Sequence, residues 1–269
     1  MLQTIRAAAE ARMPGAFARL CPVFDRLAAR NPHHEVHLLP LLAPPGEIAC
    51  DVGANRGLFT YWLLRNGSRV VAFEPNPHMV RVLERRFPDH GRGERLTIVP
   101  AALGDTQGSA TLHIPLGFSP LAALDGGLAE QQGVPLERVQ VPLHRLDDCV
   151  EGNVAFLKLD AEGYELKILA GALEMLARAQ PTILVEAEER HRAGAVASLR
   201  HLLEPMGYRG FFRDGAAIAP IAAFDPARHQ ARDALNAEGS RVLPGRTYVN
   251  NFIFAARPQV IAGLEAMAA

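Results

Sequence analysis

The sequence predicts an α/β protein: a doubly wound, mostly parallel sheet with helices on both faces, preceded by a helical extension. Three observations carry this. From Glu47 to Met206, short apolar runs alternate with segments of helical period, the signature of βαβ units. Four of those runs end in an acid, at Asp51, Glu74, Asp160 and Glu186, and ligands of open α/β sheets collect beyond such strand ends. The chain has 269 residues, 49% of them hydrophobic and 21% charged, enough to bury a sizeable core without disulfides or a structural metal.

Residues 1–46 read as the helical extension. Ile5, Ala8, Ala9, Phe17, Leu20, Phe24 and Leu27 recur at helical spacing, with a break at Met13-Pro14-Gly15. His33, His34 and His37 follow, near Pro32 and Pro40, with no carboxylate pattern to complete a metal site; they are expected at the surface or an interface. Pro44-Pro45-Gly46 breaks the chain before a domain spanning 47–269. Strands are predicted over 47–51, 69–74 and 96–103, with helices over 58–65 and 79–87 between them. From Gly104 to Asp148 the pattern changes to an insertion. Exposed strands over 109–114 and 139–143 flank a loop, 115–135, rich in Gly, Leu and Ala, and loops of that length are usually functional or disordered. Alternation resumes with a strand over 155–160, a helix over 164–177 interrupted at Gly171, a strand over 181–186, and a helix over 196–206 stopped by Gly207. Segments 208–212 and 251–254 are expected to pair as the last antiparallel strands, with 222–246 an irregular insertion between them.

The formal net charge is −1. That argues against broad electrostatic binding to nucleic acid or an anionic membrane, leaving room only for a local basic patch. The three cysteines, Cys21, Cys50 and Cys149, are odd in number and far apart, which suggests neither a disulfide framework nor a zinc site. No run reaches the ~18 apolar residues of a membrane span. Met1 to Arg12 lacks the apolar centre of a signal peptide, so a cytoplasmic location is expected.

The first strand–helix turn holds the strongest chemical signal. Asp51 ends a strand, Gly53 and Gly57 bracket the turn, and a helix follows. Glycine there lets a ligand approach the main chain, and the helix N-terminus favours an anionic group. A nicotinamide dinucleotide site would read Gly-x-Gly-x-x-Gly, but Ala54, Asn55 and Arg56 follow Gly53, so the second glycine is absent. An acid two residues before the first glycine suits the ammonium of an amino acid better than a pyrophosphate. Glu74 ends the next strand, 17 residues after Gly57 and just before Pro75, where an acid accepts both ribose hydroxyl hydrogens of an adenosine.

Asp51-Val-Gly-Ala-Asn-Arg-Gly57, Ala72-Phe-Glu-Pro-Asn76 and Ala101-Ala-Leu-Gly104 resemble the class I S-adenosylmethionine-dependent methyltransferases. With Arg145-Leu-Asp-Asp148 and Lys158-Leu-Asp-Ala-Glu-Gly-Tyr-Glu165, the likeness narrows to the FkbM family, from about Glu47 to Glu188 and weakly over 251–254. It implies a Rossmann-like, seven-stranded sheet with an antiparallel last strand, and S-adenosylmethionine as methyl donor. It further implies Gly53, Ala54, Asn55 and Gly57 at the methionine end, Asp51 near its ammonium, Glu74 on the ribose, Pro75 and Asn76 beside the adenosine, and Ala101 and Ala102 by the adenine. The family has an apolar residue where this chain has Arg56, which either points to solvent or reaches a substrate carboxylate; solvent is expected, since long charged side chains are usually exposed.

Asp160 and Glu162 form the second candidate site, with His191 after the next strand. One of the three would take the proton from an acceptor hydroxyl. Asp160 with Glu186 alternatively offers carboxylate oxygens suited to a divalent cation, although no diagnostic ligand spacing is present. Glu165 and Lys167 read as a solvated helix face. The resemblance implies O-methylation of a hydroxyl on a sugar, glycolipid or secondary metabolite. The apolar composition of 115–135 suits either a cover for the acceptor or a homo-oligomer contact. Two rivals stand beside this reading: a donor-binding module without catalysis that acts through a partner, and a nicotinamide-dependent oxidoreductase.

Overall fold

Cys50, Asp51 and Val52 are all buried at the middle of the sheet, which requires neighbours on both edges and helices on both faces. The computed structural model describes residues 13–89, 95–116, 122–124, 135–236 and 242–268. Its strands are β1 (Ile48–Val52), β2 (Arg69–Phe73), β3 (Leu96–Val99), β4 (Ala102–Leu103), β5 (Gly108–Pro115), β6 (Leu136–His144), β7 (Val154–Leu159), β8 (Thr182–Glu186), β9 (Arg209–Asp214), β10 (Ala217–Pro220) and β11 (Asn251–Ala255). Its α-helices are α1 (Pro14–Ala28), α2 (Leu39–Leu42), α3 (Leu58–Arg65), α4 (Pro77–Arg86), α5 (Glu165–Ala170), α6 (Leu173–Ala179), α7 (Ala195–Leu203), α8 (Pro226–His229) and α9 (Pro258–Glu265).

The main sheet runs β3-β2-β1-β7-β8-β11-β9-β10. β3, β2, β1, β7 and β8 pair in parallel, and β11 inserts antiparallel between β8 and β9. The seven expected strands are all in it. β10 adds an eighth by a hairpin onto β9. The strand expected over 96–103 divides at Pro100, which has no N–H to give a ladder. β4 instead pairs with β6, which also pairs with β5, making a separate three-stranded sheet in the insertion. Of the loop expected over 115–135, residues 117–121 and 125–134 lie outside the described residues. Ala123 bridges to His113 beside β5.

The helix expected over 164–177 is broken into α5 and α6 at Gly171. A Cβ there would overlap the carbonyl oxygen of Gly104, so glycine allows the insertion to close on this helix pair. Asp147, from the Arg145–Asp148 motif, accepts from the backbone N–H groups of Glu174 (3.1 Å) and Met175 (2.8 Å) and so caps α6.

The described part of the extension, 13–46, packs on the sheet's helices. Phe17, Ala18 and Cys21 of α1 meet Met79 and Val82 of α4. Leu39 and Leu42 of α2 share a core with Val260 and Leu264 of α9. Strand parity sends Leu157 and Leu159 to one face of β7 and Phe156 to the other with Leu63 of α3. Lys158 therefore lies on the α3 face, register-paired with Asp51. Among the described residues, no helix is long and apolar enough to cross a membrane.

Candidate functional site

The loop after β1 is held by glycine geometry and backbone bonds. Gly53 and Gly57 have φ of 75° and 80°, the left-handed region that costs other residues strain. The N–H groups of Gly53 and Ala54 both reach the carbonyl of Phe73 at 3.0 Å. A Cβ on Gly53 would overlap the carbonyl oxygen of Asp160. The two predicted sites thus touch through their main chains, which the spacing of 107 residues could not show.

Glu74 completes this loop. Its carboxylate accepts from the N–H of Asn55 (2.6 Å) and the N–H of Asn76 (2.8 Å). A carboxylate has about four acceptor positions, so about two remain. Burial pushes the Glu74 carboxyl up to about 7, against the pull of those two bonds. Glu74 lines a cavity of about 200 Å³ with Gly53, Asn55, Pro75, Ala101, Ala102, Asp160, Glu162 and Glu186. The small side chains Ala101 and Ala102 leave room for a flat ring, while Met79, Tyr164 and Ile168 add apolar walls. The Asn76 side chain accepts from the N–H of His78 at 2.9 Å and caps α4.

A second cavity of about 180 Å³ lies on the α3 side of the same loop. Asp51, Gly53, Ala54, Asn55, Arg56, Phe59, Lys158 and Asp160 line it. Asp51 is buried and accepts from the Thr60 hydroxyl at 2.6 Å. Lys158 is also buried, with Nζ 3.6 Å from Asp160 Oδ2 and 5.2 Å from the Phe59 ring centre. Burial would lower its pKa, but Asp160, Glu186, Asp51 and Glu35 outweigh that and raise it, so Lys158 stays a cation. Its spacing singled it out only as part of a motif; its role as a buried countercharge needed the fold.

Arg56 corrects the expectation of a solvated side chain. It pairs with Asp25 of α1, which is fully buried and also pairs with Arg86 of α4. Arg86 further donates to the Arg56 carbonyl at 2.6 Å. The N-terminal helix therefore grips the glycine loop through one shared carboxylate. Glu165 corrects a second expectation: it is buried and accepts from the N–H groups of Ala161 (2.9 Å) and Gly163 (3.1 Å). It ties down the turn that carries Asp160 and Glu162, while Lys167 is exposed as expected.

Glu162 sits on that turn with φ of 51°, a conformation costing a residue of this kind about 1–3 kcal/mol. Burial and the neighbouring Asp160, Glu188 and Glu165 raise its carboxyl well above the ordinary range. His191 Nε2 lies 3.5 Å from Glu162 Oε2 and 3.5 Å from Glu188 Oε1. Burial pushes Glu188 up, but bonds from His191, Arg190 and Tyr248 outweigh it and hold the group at about 2. Glu186 is raised by burial and by Asp160, and it accepts from Asn250 Nδ2 at 2.8 Å. Glu188 follows β8 in sequence, but its bond from the Tyr248 hydroxyl (2.6 Å) spans 60 residues and has no local signal. Among the described residues, no group of three or more His, Cys, Asp and Glu side chains is arranged to hold a metal ion.

The arrangement sets a buried carboxylate with free acceptor positions beside a glycine turn, and a carboxyl–imidazole pair at the neighbouring strand ends. The model of the methyltransferase FkbM domain matches residues 51–210, more than half of the chain. No curated protein matches it. Among solved structures, the methyltransferase FkbM from Methylobacillus flagellatus KT is 18% identical with a TM-score of 0.48, covering 78% of this chain and 43% of that one. The match thus spans less than half the length of that protein. An O-methyltransferase from Bacillus cereus in complex with SAH is 12% identical with a TM-score of 0.45, covering 92% and 94%. An rRNA methylase from Streptococcus thermophilus is 12% identical with a TM-score of 0.45, covering 84% and 96%. On the strength of the domain match, this chain belongs to the FkbM methyltransferase family.

Proposed function

We propose that residues 47–269 form a domain that transfers a methyl group from S-adenosylmethionine to a hydroxyl of a small-molecule or carbohydrate acceptor, with residues 1–46 as its extension. The observation that carries this reading is Glu74, whose carboxylate is fixed by Asn55 and Asn76 and keeps acceptor capacity at the cavity it lines. Those free positions suit the two ribose hydroxyls. Asp51, Gly53, Ala54, Asn55 and Gly57 would hold the methionine end, Pro75 the ribose side, and Ala101 and Ala102 the adenine.

The donor supplies a methyl group on a good leaving group, so the chain's task is alignment and removal of the acceptor's proton. Burial and its acidic neighbours raise the Glu162 carboxyl above the ordinary carboxylate range, so its ionised form is a stronger base than a free carboxylate and takes that proton. Glu188 is held ionised by Arg190 and Tyr248 and keeps the His191 imidazole beside Glu162. Asp160, next to Gly53, would orient the hydroxyl.

A calorimetric titration with S-adenosylhomocysteine tests the donor half. Tight binding with no response to NAD is expected; a folded protein that binds neither overturns the reading. Glu74→Gln should weaken binding about ten- to a hundredfold, since a charge-assisted bond contributes about 1.5–3 kcal/mol. Ribose hydroxyls favour the ionised carboxylate, so wild-type affinity should fall as pH drops through about 7, and the Glu74→Gln profile should be flat there.

Glu162→Gln tests the acceptor half. Turnover on an accepted hydroxyl substrate should fall about 10²–10⁴-fold, with homocysteine-analogue affinity within about twofold of wild type. Unchanged turnover removes Glu162 from proton transfer. Donor binding without turnover on any hydroxyl compound would favour a binding module acting through a partner.

A further inference from the structure

Among the described residues, half of the exposed large apolar side chains lie between positions 13 and 27. Leu20, Val23, Phe24 and Leu27 of α1 are 39–52% exposed, and Met13 just before the helix is 58% exposed. Their spacing of three, four and seven places the four on one stripe. The stripe that holds α1 to the protein is a different one: Phe17, Ala18, Cys21 and Asp25 are buried. Folding therefore uses one face of α1 and leaves a second apolar face in water, which marks a docking surface.

The charges beside that face have one sign. At 100° per residue, Arg19 and Arg26 fall in a row along one flank of the stripe, and Arg30 continues the row past the helix end. All three are exposed. The helix has one acid, Asp25, which is buried and already shared by Arg56 and Arg86. Exposed Leu, Val and Phe flanked by arginine with no exposed acid is the composition of a helix that lies in a membrane interface. A second copy packed antiparallel would instead set arginine row against arginine row, and like charges across an interface are unfavourable, while a parallel copy would offer the arginines no exposed acid of α1.

We propose that α1 docks this protein on the surface of a bilayer that contains anionic lipid. Leu20, Val23, Phe24 and Leu27 enter the acyl boundary, and Arg19, Arg26 and Arg30 meet the lipid phosphates. The attraction is local, since the chain's formal net charge is −1, and attachment is peripheral, since α1 has 15 residues against the ~20 of a spanning helix. The proposal does not depend on the acceptor's identity.

The test is flotation of the full chain with two kinds of vesicle, phosphatidylcholine alone and phosphatidylcholine mixed with phosphatidylglycerol. Binding is expected to the mixed vesicles, weakened by salt, and far less to the neutral ones. Leu20→Ser/Phe24→Ser and Arg19→Glu/Arg26→Glu should each lower it about tenfold or more. Both should keep wild-type S-adenosylhomocysteine affinity; Arg19→Glu/Arg26→Glu, at exposed positions, should also keep the melting temperature, while Leu20→Ser/Phe24→Ser loses the contact of Phe24 with the Phe17 ring and should melt somewhat lower. Equal binding to both vesicles, no binding to either, or retention by both variants would overturn the proposal. Loss on deleting residues 1–12 with both variants still bound would move the anchor to that segment. A dimer dissolved by Leu20→Ser/Phe24→Ser, with no vesicle binding, would assign the face to a second copy.

Discussion

Gly53→Ala is expected to abolish measurable S-adenosylhomocysteine binding while leaving a folded protein. Two independent penalties meet at this position. Its φ of 75° places an alanine in the left-handed region, at about 1–2 kcal/mol. Its new methyl would also overlap the carbonyl oxygen of Asp160, and overpacking of this kind costs about 1–3 kcal/mol. The neighbour is backbone at the end of β7, so it yields only if the strand end moves. Such a movement would also carry away the Asn55 N–H that fixes Glu74, so both the glycine turn and the carboxylate beside it would leave their binding positions. Gly57→Ala is the comparison. There φ is 80°, but the methyl meets side-chain ends of Leu83 and Phe87 at 2.8 Å, which can rotate away. It should lower stability and keep most of the donor affinity. A Gly53→Ala protein that binds the analogue as wild type does would show that the contact between β1 and β7 does not shape the site.

Asp25→Ala should be the most destabilising single change in the extension. Asp25 is fully buried, and it neutralises two guanidiniums, of which Arg86 is itself buried. Removing one partner of a buried ion pair costs about 3–5 kcal/mol, because the other charge is left uncompensated. For a chain of this size that is a fall of roughly 6–20 °C in melting temperature. Donor affinity should fall as well, since Arg56 follows Asn55, whose N–H is bonded to Glu74. The triple variant Asp25→Leu/Arg56→Leu/Arg86→Leu should recover much of the stability, as apolar replacements of buried ion groups often do. Chemical denaturation of the three proteins checks this. A loss below about 1 kcal/mol for Asp25→Ala would place the carboxylate in the class of exposed pairs, contrary to its burial.

Some features were legible because they are local. The alternation of apolar runs with helical periods depends only on neighbouring residues, and β1, β2, β7 and β8 stand within a residue or so of their expected spans. Gly53, Gly57 and the position of Glu74 are local for the same reason: a tight turn demands glycine, and Pro75 ends the strand just after Glu74. The break at Gly171 was visible as a glycine within a helical pattern. Its cause, the approach of Gly104, was not.

What sequence by itself determined is the class of fold, the place of the glycine loop and the acids at the strand ends. Each of these follows from residue type and short-range period. Only the tertiary structure decided how those pieces meet. It set Asp160 against Gly53, placed Lys158 beside Asp51, and brought Tyr248 to Glu188 and Asp25 to Arg56 and Arg86. The reason is physical. A charged side chain has the same local signature in water as in a core, and its burial, its partners and its pKa depend on which distant segment packs over it. Arg56 and Glu165 show this most clearly: both read as solvated, and both are drawn into the site by groups that only folding supplies.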